Sequence, residues 1–328
     1  MRVLHIDTAR EWRGGQTQLL HLMRGMDADS TGAVLALDAP LRAAIPGALV
    51  AEFGSPLRSP RGLAEAIERF EPDLIAAHTS HAHGHAVRIA SCPVVVHRRL
   101  DFRVRRRSRL KYRAAAGFIA VSHAVSRVLQ AGGVPAERID VVHDGVSPPV
   151  GAADRENLLR TLGIKEGAIL VLAVGALVPH KGHRFLIEAL AELPERYHCL
   201  IAGAGPLGEV LQRAERVHLL GHRGDVGRLL RSCDIFCHPS VEEGMGQVVA
   251  EALMAPIRTV ATTAGGLPEV VVDDGVLVTP GSGVALAVGI LEARGRPLHD
   301  PGRAAAAFAV DRMVRETERA YRRFAGVT

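Results

Sequence analysis

The chain is 328 residues long, 48% hydrophobic and 23% charged, with a formal net charge of +5. That composition excludes a disordered polymer and suits about two globular domains, and no apolar run approaches the ~18 residues of a membrane-spanning helix. Only three of the 40 basic side chains are lysines (Lys111, Lys165, Lys181), and the excess charge sits early: residues 1–150 hold 20 basic and 14 acidic groups (+6), residues 151–328 hold 20 and 21 (−1).

In chain order, RVLHID, AVLAL, DLIAAH, PVVVH and GFIAVS are predicted strands. QTQLLHLMRGM and GLAEAIERF carry apolar residues at i, i+3, i+4 and i+7 and are predicted helices. The opening MRVLHIDTAR breaks its apolar stretch with charges and lacks a secretion signal's apolar region, so a cytoplasmic protein is expected. HDGVSPPVGAADRE (143–156), rich in Gly, Pro and Asp, marks the expected boundary. Beyond it AILVLAVG, HCLIAG, VHLLG, DIFCHPS, RTVATTAG and GVLV read as strands. HRFLIEALAEL, LGEVLQRA, VGRLLRS and GQVVAEALM read as helices. DRMVRETERAYRRFAG closes the chain as a charged amphipathic helix.

Continuous apolar strands separated by helices predict parallel sheets covered on both faces. The expected fold is α/β: two Rossmann-like doubly wound domains facing across a cleft, residues 1–148 and 149–310. Residues 311–328 form a terminal helix packing back toward the first domain. Ligands of such sheets bind at the carboxyl ends of the strands.

Cys92, Cys199, Cys233 and Cys237 lack paired zinc spacing and read as buried free thiols. His78, His81, His83 and His85 crowd AHTSHAHGHAV, read as a strand's exit; no carboxylate or cysteine joins them locally. Contact with acceptor or donor by one or two of them is favoured over a metal, and no metal is expected. GAGPLG (203–208) spells the dinucleotide fingerprint, but the next strand ends in Gly221 and His222 where an acidic residue is needed, so NAD is not expected. The nine cations from Arg98 to Arg113, Arg105, Arg106 and Arg107 among them, form either a solvated helix face or a surface attracting an anionic acceptor or bilayer. The second is worth ~1 kcal/mol per nearby cation. With only Phe102 and Tyr112 interleaved, no nucleic acid is expected.

PSVEEGMGQVVAEALM (239–254) places Glu243 in a glycine loop and Glu251 eight residues on, inside a helix beginning near Gly246. Two such carboxylates could bond hydroxyls at two places on a sugar nucleotide; alternatively Glu243 caps the helix and Glu251 is solvated. Lys181-Gly182 precedes another helix, where a cation and free backbone N–H groups suit a diphosphate.

Together these segments resemble the retaining glycosyltransferases of the GT-B architecture, family four. The signature elements are Glu243…Glu251, Lys181-Gly182, Gly203-Ala204-Gly205-Pro206 and Gly265-Gly266-Leu267-Pro268-Glu269; RGGQTQ and FIAVSHAVSRVL also fit. The resemblance implies a metal-independent, retaining transfer from a nucleotide sugar (UDP-, GDP- or ADP-sugar, with no other cofactor) to a hydroxyl of a glycan or lipid-linked acceptor. It also implies a donor-binding second domain and an acceptor-binding first domain; the Arg98–Arg113 run is the reason to expect the protein peripheral at the inner face of a membrane. A sugar-nucleotide epimerase of the same architecture and a non-catalytic sugar-nucleotide binding protein are the alternatives.

By the resemblance Glu251 holds ribose hydroxyls, Glu243 contacts the donor sugar and Lys181 neutralises the departing diphosphate. Gly244, Met245 and Gly246 bring backbone to the donor, and Gly14 and Gly15 close on the diphosphate. Relatives end an N-domain strand with a histidine near the reacting sugar; here Arg99 takes that place. His97, two residues earlier, shares its strand face, and His83 is a further catalytic candidate. Departures are Ala176 where an arginine is usual, with His180 or Arg184 as substitutes, and Met245 where a phenylalanine is usual.

Overall fold

Strands apolar on both faces must be covered by helices on both sides, and the alternation of β and α along this chain supplies them. A computed structural model describes residues 1–36, 38–45, 47–52, 62–105 and 108–327. The elements run β1 (Val3–Asp7), α1 (Gly14–Gly25), β2 (Thr31–Ala36), β3 (Leu49–Ala51), α2 (Leu63–Phe70), β4 (Leu74–Ala77), α3 (Ser80–Ile89), β5 (Val94–Arg98), α4 (Arg109–Ala114), β6 (Gly117–Ala120), α5 (His123–Ala131) and β7 (Ile139–Val141). They continue with α6 (Arg155–Leu162), β8 (Ile169–Val174), α7 (His183–Glu192), β9 (Tyr197–Ala202), α8 (Gly208–Leu211), β10 (Val217–Gly221), α9 (Val226–Ser232), β11 (Ile235–His238) and α10 (Gln247–Leu253). The last are β12 (Arg258–Thr262), α11 (Leu267–Val271), β13 (Val276–Val278), α12 (Gly283–Gly295), α13 (Pro301–Ala307) and α14 (Val310–Ala325).

The chain divides into one unit of residues 1–145 and 309–328 and a second of 146–308. The first holds a seven-stranded sheet, β3-β2-β1-β4-β5-β6-β7, and the second a six-stranded sheet, β10-β9-β8-β11-β12-β13. Every pairing is parallel. Counted within each unit the second sheet runs 3-2-1-4-5-6 and the first runs the same order with a seventh strand added at its end, so both are Rossmann-like. The strand order reverses beside the unit's first strand, between β1 and β4 and between β8 and β11. That reversal opens a crevice at the strands' carboxyl ends, because the connections on its two sides leave in opposite directions.

The second core packs Val171, Leu186, Leu190, Ile201, Cys237, Val260 and Ile290 between sheet and helices. In the first unit α14 buries Met313, Val314, Thr317, Ala320 and Tyr321, a single helical stripe, against Val3, Leu22, Leu74, Val95 and Ile119. Its outer face is arginine-rich, with Arg315, Arg319 and Arg322 exposed. Among the described residues no helix is long and apolar enough to cross a membrane.

AHTSHAHGHAV leaves β4 at His78, as expected of a strand's exit, and runs on into a helix: Thr79 caps it by accepting from the Ala82 amide at 3.1 Å, and α3 carries His81, His83 and His85. Two local expectations are corrected. The run from Arg98 to Arg113 is not one helix face. Arg98 ends β5, Arg99 turns inward, and α4 begins only at Arg109; Arg106 and Arg107 lie outside the described residues. LGEVLQRA yields a single turn, Gly208–Leu211.

Candidate functional site

Three loops of the second unit meet at the carboxyl ends of β8, β11 and β12, which neighbour one another in the sheet. The Val241 amide donates to the His180 carbonyl at 2.8 Å, tying the β11 loop to the Lys181 loop. The Gly266 amide donates to the Glu243 carbonyl at 3.2 Å, tying it to the Gly265-Gly266 turn. Gly182 makes the first junction possible. Its φ is +69°, and any Cβ there would collide with the Pro239 carbonyl oxygen. The same physics explains the Gly203-Ala204-Gly205 element. A Cβ on Gly203 would strike the Gly175 carbonyl, so this glycine seats the neighbouring Lys181 loop.

Glu243 stands at the centre. Its Oε2 accepts from Lys181 Nζ at 2.6 Å and from His238 Nε2 at 2.8 Å, with Ser240 Oγ at 3.3 Å. Thr262 Oγ1 donates to the Ser240 carbonyl at 2.5 Å and fixes the loop from beneath. Burial acts to raise the Glu243 pKa. The His238 bond and the Lys181 charge outweigh it and hold the carboxyl well below the usual range. Burial keeps His238 neutral against the pull of Glu243, so Nε2 carries the proton it gives to the carboxylate. The helix-capping alternative for Glu243 gives way to this ion pair. His238, Ser240 and Thr262 were not singled out in the sequence; the available signal was three polar side chains at or just beyond the ends of otherwise apolar strands.

Glu251 lies on α10, with no side-chain hydrogen bond to its carboxylate among the described residues. Burial alone raises its pKa from 4.5 to about 7. Gly246 starts α10 in the left-handed region, Gly244 is buried and Met245 is 2% exposed, its side chain filling core. Of the substitutes considered for an arginine at Ala176, Arg184 stacks its guanidinium on Phe185, 4.4 Å from the ring centre. His183, unremarked in the sequence, is buried beside the Lys181 stem under Gly175, and burial lowers its pKa to about 4.

In the first unit Gly14 and Gly15 open α1 directly after β1, at that sheet's reversal point. Gln16 braces the turn, donating to Asp7 Oδ2 at 3.0 Å and accepting from the Arg13 amide at 3.1 Å. Gly15 faces the Arg99 stem at van der Waals distance. Arg99 is mostly buried and paired with Asp144, Nε to Oδ1 3.1 Å. His97 does share its side, but lies beneath it with Nε2 on the Tyr321 hydroxyl at 2.5 Å. His97 is thus buried beneath Arg99, at 7% exposure, and bonded to the terminal helix. His83 is 1% exposed, set edge-on against Tyr112 and Phe118, and bonds the Lys111 carbonyl at 2.9 Å. Among the described residues no three His, Cys, Asp or Glu side chains are grouped to hold a metal ion. Cys199, Cys233 and Cys237 are buried free thiols and Cys92 is half-buried.

Two family models match the chain: Glycosyltransferase Family 4 over residues 13–148 and Glycosyl transferases group 1 over residues 168–294. The chain is 37% identical over 155 residues to a D-inositol 3-phosphate glycosyltransferase of Mycolicibacterium gilvum, covering 42% of this chain and 34% of that protein. It is 32% identical over 152 residues to the lipopolysaccharide glucosyltransferase WaaG of Escherichia coli, covering 42% and 41%. These matches span a third to two-fifths of those relatives' own lengths. Among solved structures, Anabaena Alr3699/HepE in complex with UDP and glucose is similar throughout, with 25% identity and a TM-score of 0.81 over 97% of this chain and 98% of that one. A Rickettsia africae glycosyltransferase, 18% identical with a TM-score of 0.81 over 98% of each chain, shares the fold. With the motifs, the sheet order and the matches in agreement, the chain belongs to the group 1 glycosyltransferases of the GT-B fold.

Proposed function

We propose that the chain transfers a sugar, with retention at the anomeric carbon and without a metal, from a nucleotide sugar to a hydroxyl of a glycan or lipid-linked acceptor. The observation that carries this reading is the Lys181–Glu243–His238 cluster at the carboxyl edge of the second sheet. It supplies a cation for a departing diphosphate beside an ionised acceptor for sugar hydroxyls. In the absence of donor Lys181 is neutralised by Glu243. An arriving diphosphate shares that ammonium, and Glu243 stays ionised through His238 and turns to the sugar. Glu251 takes the ribose hydroxyls, the backbone of Gly244–Gly246 approaches the donor, and Gly14 and Gly15 approach the diphosphate.

In the reaction the bond from the anomeric carbon to the phosphate oxygen breaks, and the bond to the acceptor oxygen forms on the same face. The acceptor's hydroxyl proton passes to the departing phosphate oxygen, so no carboxylate nucleophile is needed. Lys181 meets the charge developing on the leaving group, where a fixed cation is most effective because it needs no reorganisation. On the acceptor side, Leu100, Phe102 and Leu110 are 52, 47 and 77% exposed among the exposed cations Arg103, Arg105 and Arg109. That mixture suits an acceptor with an apolar tail and an anionic head.

The test is incubation with UDP-, GDP- and ADP-sugars, with and without candidate acceptors. Acceptor-dependent nucleotide release, with the donor's anomeric configuration preserved by NMR, is the expected result. Sugar interconversion without release, or binding without turnover, overturns it.

A further inference from the structure

The buried polar centre of the first unit is a chain of rings contributed by separate elements. His5 from β1, His78 after β4 and His97 from β5 stack, with centroids 5.1 and 4.3 Å apart. Tyr321 of α14 closes one end. Every nitrogen of the Arg99 guanidinium addresses this wall: Nε to Asp144 Oδ1 at 3.1 Å, one terminal nitrogen to His78 Nδ1 at 3.4 Å, the other to His97 Nδ1 at 3.5 Å.

A guanidinium only donates, so each facing Nδ1 must offer a lone pair. The protons of His78 and His97 are thereby placed on Nε2. His97 then donates to the Tyr321 oxygen at 2.5 Å, and His78 donates to His5 Nδ1 at 2.8 Å. His5 in turn must carry its proton on Nε2, the atom that finds no partner. The reverse arrangement satisfies no more atoms and sets an N–H of His78 against a cation. One fixed charge therefore sets three tautomers, and they in turn fix the plane and direction of that charge.

We propose that His78, His97, Asp144 and Tyr321 are positioning residues that clamp Arg99 in one orientation, leaving its remaining N–H bonds for an anionic oxygen of the reacting ligands. Arg99's contact with those ligands rests on the glycosyl-transfer reading; the clamp does not. Asp7 is the other charged group facing Arg99, and its carboxyl is raised by burial against the pull of that cation. Burial together with Arg99 holds His5, His78 and His97 neutral, His5 down at about 3. The clamp therefore stays intact across the neutral range.

Nitrogen-15 NMR of the histidine-labelled chain reads the clamp directly, since the two ring nitrogens differ widely in shift according to which is protonated. All three rings are expected as Nε2–H tautomers at pH 7. In Arg99→Gln the lock is released and the Nδ1–H tautomers of His78 and His97 become populated. A proton on Nδ1 of His78 or His97 in the unaltered chain overturns the proposal, as does an unchanged tautomer distribution in Arg99→Gln. Tyr321→Phe removes one oxygen from a packed ring and keeps the fold. With the nucleotide sugar that the panel turns over, it is expected to lower kcat tenfold or more and leave the donor KM within twofold. Equal kcat overturns Tyr321's role. If no sugar is turned over, the transfer reading fails and the NMR result still decides the clamp.

Discussion

Glu251 is a carboxylate that folding does not accommodate well, and its burden can be measured. Its pKa is raised by burial from 4.5 to about 7. The folded state therefore keeps a proton that the unfolded chain has released, and the resulting destabilisation is absent below about pH 4.5. It grows as the pH rises toward 7 and then levels, reaching about 0.8 kcal/mol at pH 5 and about 3.3 kcal/mol at pH 8. Glu251→Gln abolishes the titration. Whatever the buried amide costs is the same at both pH values and cancels in the comparison. The variant's stability relative to the parent, from urea unfolding, is expected to improve by about 2.5 kcal/mol between pH 5 and pH 8. Parallel stability profiles for the two proteins refute the reasoning. A ligand that donates hydroxyls to Glu251 needs it ionised. UDP-glucose is suited to the measurement, because its diphosphate diester does not titrate in this range. Its affinity should rise about tenfold from pH 6 to pH 8, as the ionised fraction goes from about 0.1 to about 0.9, and the rise should vanish in the glutamine variant. A flat calorimetric affinity in the parent removes Glu251 from the donor site.

Gly182→Ala meets both a left-handed backbone and the Pro239 carbonyl; a loss of about 3 kcal/mol or more, seen as a lowered Tm, is expected, and an unchanged Tm contradicts the junction. Lys181→Met leaves Glu243, among the described residues, with His238 and Ser240, whereas adding Glu243→Gln removes the stranded charge. A double-mutant cycle is expected to give about 1–3 kcal/mol of coupling, and none means the pair is not formed in solution. Because the Glu243 pKa is depressed, its stabilisation is full above about pH 4.5 and is lost only as the pH falls well below that. Met313→Ala opens a cavity beneath α14 and should cost about 2–4 kcal/mol, with faster amide exchange in β1 and β5 of the first unit; unaltered exchange there argues against α14 as part of that core.

How much of this was legible depended on whether the relevant physics was local. The strands read easily because a parallel strand covered on both faces is an unbroken apolar run. The three-residue edge strands β3 and β7 were missed, since neither is long enough to show a period. Histidines at 81, 83 and 85 imitate the alternation of an extended segment, and only the Thr79 cap reveals a helix. In the site, Lys181, Glu243 and Glu251 each stood out by motif. Nothing local showed that the first two, 62 positions apart, neutralise each other.

The same distinction separates the two units' polar centres. Gly14-Gly15 and Lys181-Gly182 announce themselves because a glycine turn ahead of a helix is a contiguous pattern. His5, His78, His97 and Tyr321 each look like ordinary core residues along the chain. They become one network only because β1 lies between β2 and β4, with β5 beyond, and because α14 returns to that sheet. A buried histidine is tolerable singly when neutral and bonded; three in contact need their tautomers in a consistent order, and something must set that order. Arg99 and Asp144 do so here, and Asp144 falls in a stretch that reads as a boundary loop. The orientation of a candidate catalytic cation is thus fixed by residues from β1, β5, the loop after β4, that boundary loop and the terminal helix. A substitution at Tyr321, 222 positions from Arg99, should therefore reach the chemistry through a single hydrogen bond to His97.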